Sequence, residues 1–144
     1  MRGWRPWRAL REHDDVEFRL ADFPSGPVRA LYVERGAQRL ILIDRSLDPV
    51  DRLAALAHEL VHLERGGVAD CLDVGREERT VDRIVAERLC PAEGLAALVD
   101  VLVEVEGGVT AAMVAEEFQV PVAVAERGMR ALVVRRAEHR RQAG

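Results

Sequence analysis

Apolar positions repeat with one period in the first third of the chain and with another in the rest. Val16-Glu17-Phe18-Arg19-Leu20 alternates apolar and polar residues, the two-residue period of a half-buried strand. Pro24-Ser25-Gly26-Pro27 is a turn, and Val28 to Glu34 reads as a second strand of imperfect alternation. Arg35-Gly36-Ala37-Gln38 closes a hairpin onto Leu40-Ile41-Leu42-Ile43, a short continuous apolar strand. These runs predict a small three-stranded antiparallel sheet. Ahead of it, residues 1–13 carry Arg and Trp, with helix expected only around Arg11 to His13 before Asp14 and Asp15.

From Asp48 the period becomes helical. Asp48 suits an N-cap and Pro49 the first helical position. The helix should run to about Arg65 and stop at Gly66-Gly67. Leu53, Leu56, Leu60 and Leu63 form its apolar stripe. Residues 68–75 read as a loop, and a second helix as running from near Arg76 to Leu89, before Cys90-Pro91. A third covers 92–105, with Leu95, Leu98, Val99 and Leu102 on one stripe, and ends at Gly107-Gly108. Thr110 caps a short helix to Phe118, Gln119-Val120-Pro121 turns, and a last helix spans Val122 to about Arg136. In these two helices Val114, Phe118, Val124, Met129, Leu132 and Val133 look like packing residues.

The first helix carries His58-Glu59-Leu60-Val61-His62, an H-E-x-x-H. Residues four apart share a helix face, so both imidazoles can address one metal ion with Glu59 beside them. This is the zinc-hydrolase pattern, in which the glutamate serves as general base on a water at the metal. Two of the chain's four histidines fall here. A catalytic zinc takes a third protein ligand and leaves a fourth position open. The extended H-E-x-x-H-x-x-G-x-x-H pattern is absent, since Arg65 stands at the glycine position and Ala69 near the place of the third histidine. Glu78 and Asp82 share a face of the second helix. Glu78 is assigned as third ligand and Asp82 as the acceptor that fixes a ligating imidazole. Glu77, Asp70, Asp73 and Cys71 are rivals for the ligand position. His13, Tyr32 and His139 are the His and Tyr side chains left as oxyanion donors, with the arginines as a further option.

With 144 residues the chain can bury a real core. It is read as a single metallopeptidase-like domain over 1–144, with the sheet and metal-site helices in about 14–91 and a helical part in about 92–144. No stretch is apolar and long enough to span a membrane, and residues 1–8 lack the apolar core of a signal peptide. Cys71 and Cys90 form no disulfide framework, so a cytoplasmic protein with reduced thiols is expected. Every basic residue is Arg. Residues 1–11 hold four of them and 126–141 six, yet the net charge is −4. That balance argues against nucleic acid and for solvated helix surface.

The order of elements resembles the ImmA/IrrE family of metallopeptidases. The first shared motif is Leu56-Ala57-His58-Glu59-Leu60-Val61-His62. The second runs from Glu78 to Pro91, against a family pattern of Glu-x-x-x-Asn-x-Phe-Ala-Ala-x-Leu-Leu-Met-Pro. The tail from Val114 to Arg127 is helix-turn-helix-like. The likeness covers about residues 28 to 133. It implies an α+β fold, one Zn²⁺ per chain on His58, His62 and Glu78, and Glu59 as the catalytic residue. It also implies peptide-bond hydrolysis, on a protein or peptide substrate such as a transcriptional repressor. Val61 replaces the usual Gly and adds bulk beside the cleft. Asp82 replaces Asn, and Cys90 replaces Met. A substrate strand is expected to pair with an exposed sheet edge at Leu40 to Ile43. The alternative is a regulatory protein- or DNA-binding module using the tail helices and their arginines, with a structural or vestigial metal site. A third reading is a closed zinc site that holds the fold together, with Cys71 the nearest fourth ligand.

Overall fold

The computed structural model describes residues 3–66 and 74–144. The expected loop over 68–75 falls largely in residues 67–73, outside the described residues, as do Asp70, Cys71 and Asp73. Among the described residues the chain is α+β, a three-stranded sheet and six helices. The order is α1 (Pro6–Arg11), β1 (Val16–Ala21), β2 (Ala30–Arg35), β3 (Gln38–Asp44), α2 (Pro49–Glu64), α3 (Val74–Leu89), α4 (Ala92–Glu106), α5 (Ala111–Phe118) and α6 (Val122–Ala143). The chain divides into two compact units, Arg2–Val85 and Ala86–Gly144.

The sheet is mixed, which corrects the antiparallel expectation. Its strand order is β1-β3-β2, with β2 antiparallel to β3 and β1 parallel to it. The reason lies in the two connections. Arg35 and Gln38 are joined through Gly36-Ala37, and Gly36 has φ 61, a left-handed conformation that glycine adopts freely. The tight turn forces β2 and β3 to be neighbours. The segment between β1 and β2 contains Pro24 and Pro27 and is too long for such a turn. It leaves a strand's width, and β3 occupies it. Leu40 to Ile43 therefore lie in the central strand, and the edges are β1 and β2.

α1 and α2 cover one face of this sheet. Ile41 and Ile43 of β3 are fully buried against Leu56 and Leu60 of α2. Trp4, Trp7 and Leu10 close the α1 side, and Trp7 meets Phe18 edge to face at a centroid distance of 5.1 Å. Helix α1 starts earlier than expected because Pro6, at its first position, is preorganised for helix and gives up no needed N–H. α2 begins where its cap dictates. The Asp48 carboxylate accepts from the Asp51 N–H at 2.8 Å, and Pro49 follows. That start sets the rotation of α2, placing Leu56, Leu60 and Leu63 inward.

At the end of β3 the buried Asp44 carboxylate accepts from the Ser46 N–H at 2.9 Å, the Ser46 hydroxyl at 2.8 Å and Arg29 at 2.8 Å. The Ser46 bonds, then Arg29, hold its carboxyl below the usual aspartate range. A depressed carboxyl stabilises the fold above its unfolded pKa, and that contribution disappears as pH falls through the folded value. Melting temperature is therefore expected to fall on acidification below the ordinary aspartate range of about 4. Asp44→Asn should melt lower at neutral pH and show a shallower acid decline. Parallel curves for the two proteins would remove Asp44 from the acid response.

In the second unit the buried residues include Leu95 of α4, Val114 and Ala115 of α5, and Val124, Ala125 and Leu132 of α6. Thr110 caps α5 as expected, accepting from the Met113 N–H at 3.2 Å. Gly128 sits where a Cβ would meet the Cys90 Cβ at 3.3 Å, so a small residue lets these segments approach. Cys90 is a free, buried thiol, pushed up to about 11 by burial, and is not poised as a thiolate. α6 runs past Arg136 to Ala143, because no Pro or Gly interrupts it after Gly128. Val133 is not a packing residue: it is 64% exposed, one step round the helix from buried Leu132.

Candidate metal centre

α2 presents His58 and His62 one turn apart, and α3 brings Glu78 against both. The two imidazole Nε2 atoms are 3.1 Å from each other. One Glu78 oxygen is 2.8 Å from His62 Nε2, and the other is 3.0 Å from His58 Nε2. Three lone-pair donors thus converge on one point, an arrangement stable only with a proton or a cation between them. Ligands about 2.0–2.1 Å from a tetrahedral zinc are about 3.3 Å apart, close to the separations seen. The donor set fits a divalent metal, and among the described residues His58, His62 and Glu78 are the group able to hold one.

The surroundings suit neutral, fixed ligands. His62 is 4% exposed, and burial lowers its pKa, keeping a lone pair free for coordination. Its Nδ1 is buried with no hydrogen-bond partner among the described residues. His58 is oriented from behind: its Nδ1 lies 3.3 Å from Asp82 Oδ1. Asp82 therefore meets His58 through Nδ1, the ring nitrogen opposite the one that faces Glu78, a placement able to fix the tautomer. Glu59 follows His58 on α2 and is 7% exposed. Burial pushes its carboxyl up to about 7; His58 and, more weakly, the Tyr32 backbone N–H act in the opposite direction. A dication at the neighbouring donors would also favour the carboxylate.

The rival Glu77 is engaged elsewhere. Arg65 donates to it through Nε at 2.5 Å and Nη2 at 3.0 Å. Asp70, Cys71 and Asp73 lie outside the described residues. Of the side chains considered as oxyanion donors, Tyr32 has its hydroxyl committed, donating to Glu34 at 2.6 Å and accepting from Arg39 at 2.9 Å. What Tyr32 offers Glu59 is its backbone N–H. His13 is half-buried beyond α1, and His139 is exposed on α6. Val61 is 1% exposed, so its extra bulk is interior packing. Two features escaped the sequence. A backbone N–H has no residue signature, and the Arg65–Glu77 pair is too distant along the chain for any local periodicity to reveal.

The family model Peptidase_M78, described as the IrrE N-terminal-like domain, matches residues 11–130. The chain belongs to this peptidase family. Comparison with curated proteins and with solved structures gave no match. The family match spans the sheet, both site helices and most of the later ones, so the likeness seen in the two motifs extends over the fold. Membership makes the chain a metallopeptidase by family, with a protein or peptide as the implied substrate. No helix among the described residues is long and apolar enough to cross a membrane.

Proposed function

We propose that this chain is a zinc-dependent endopeptidase that acts on a specific protein partner. His58, His62 and Glu78 are its metal ligands, Glu59 its general base, and Asp82 the acceptor that orients His58. The observation that carries the reading is the convergence of the three donor atoms beside a buried glutamate. Two imidazoles and one carboxylate, with a fourth position open, are a zinc donor set. A metal held there supplies Lewis acidity, polarising a peptide carbonyl and acidifying a water. Glu59 takes a proton from the attacking water on its carboxylate and passes it to the leaving amine. Asp82 keeps His58 in the tautomer whose Nε2 lone pair faces inward.

The substrate strand pairs with β2 rather than with Leu40 to Ile43. β2 is an edge strand, and Tyr32 on it lies beside Glu59. Main-chain pairing along that edge would lay an extended peptide beside Glu59. The reading extends to a cytoplasmic enzyme whose partner is a transcriptional regulator, on the strength of the family resemblance.

The test is metal content by mass spectrometry, native protein beside Glu78→Ala. The expected result is one zinc per chain in the native protein, lost in the variant, with an unchanged far-ultraviolet spectrum. The Glu78 side chain is 40% exposed, so truncating it leaves no core cavity. A native protein that takes up no metal from zinc-containing buffer would overturn the proposal.

A further inference from the structure

An ion pair ties the end of α2 to the start of α3. Arg65 donates two parallel hydrogen bonds to Glu77, Nε to Oε1 at 2.5 Å and Nη2 to Oε2 at 3.0 Å. Such a fork constrains orientation as well as distance, which a single ammonium contact cannot do. The Glu77 side chain is 13% exposed and that of Arg65 38%, so the pair lies at the surface and its value is in geometry. Arg65 is itself fixed to α2, its N–H donating to the Val61 carbonyl at 3.0 Å.

The position of this pair matters more than its strength. Arg65 lies just past His62, and Glu77 directly precedes Glu78. Among the described residues, apolar burial at the start of α3 is slight: Val74 is 54% exposed, and the Glu78 side chain 40%. The first fully buried anchor of that helix is Val81. Helix ends fray, and this end carries the carboxylate of the donor set.

We infer that Arg65 and Glu77 are positioning residues for the metal site. Their two-bond clamp fixes the distance and rotation at which α3 offers Glu78 to His58 and His62. This rests on the proposed ligand set. It also gives Arg65 a role at the place where the longer zinc motif has glycine. Glu77, engaged by Arg65, stays out of the coordination sphere and leaves the fourth position open.

Titration of the full chain with Co²⁺, followed by visible absorption, reads this without any hydrolysis assay. Arg65→Ala and Glu77→Gln are each expected to weaken Co²⁺ binding about 10- to 100-fold, the usual effect of removing a group that orients a ligand. Arg65→Lys should fall between them and the native protein, since lysine keeps the charge but has no fork. Melting of the metal-free variants should match the native protein, which separates positioning from general stability. If Arg65→Ala fails to fold, the isosteric Glu77→Gln carries the result. Native affinity in Arg65→Ala and Glu77→Gln, with binding lost in Glu78→Ala, would overturn the clamp and leave the ligand set standing. A native protein that binds no Co²⁺ would sink both.

Discussion

Replacing Glu59 by glutamine is expected to lower peptide hydrolysis by about 10²–10⁴-fold, the usual contribution of a positioned general base. Zinc content should stay at the native level, because Glu59 is not one of the three converging donors. Glutamine has the same shape and can still accept the Tyr32 N–H, but it cannot take a proton from water. Folding should not suffer. Burial disfavours the Glu59 carboxylate, so a neutral isostere removes a desolvation cost from the metal-free protein. The measurement is mass-spectrometric detection of cleavage in a peptide library at equal zinc loading, native beside variant. Undiminished cleavage by Glu59→Gln would end the claim that this residue is the base.

Leu60→Ala should produce the largest loss of stability. Leu60 is 0% exposed and packs with Ile41, Ile43 and Leu56 between α2 and the sheet. Truncation of a leucine in such a core costs about 2–5 kcal/mol, the transfer term plus the cavity left behind. Small domains have about 5–15 kcal/mol in total, so the loss is a large share. The check is the urea midpoint, with Val28→Ala as control, since Val28 is 52% exposed and such positions move stability by about 0.5 kcal/mol or less. Because α2 also carries His58 and His62, zinc that binds the folded state should recover part of the lost midpoint. Equal midpoints for the two variants would show that this face of α2 does not anchor the unit.

Much of this was legible in one dimension because the interactions responsible are local. The Asp48 cap and Pro49 set the start of α2, and the leucine stripe sets its rotation. The four-residue spacing then puts both histidines on one side. The hairpin at Gly36 was readable for the same reason, since a tight turn needs a residue that tolerates positive φ. Thr110 marked the start of α5 by its side chain. Where no breaker stood, the boundary slipped: α6 ran on past Arg136 to Ala143.

The sequence by itself therefore determined the α+β class, the H-E-x-x-H helix and its shared face. The second motif further named Glu78 and Asp82 as candidates from spacing on a single helix. Tertiary structure alone decided the sheet order and the parallel pairing of β1 with β3, since a long connection does not specify which neighbour a strand takes. It brought the Glu78 carboxylate to within 3.0 Å of His58 on another helix. It also gave Glu77 to Arg65 rather than to the metal site. Distances between elements depend on packing and on partners far along the chain, and no periodicity in the sequence encodes them.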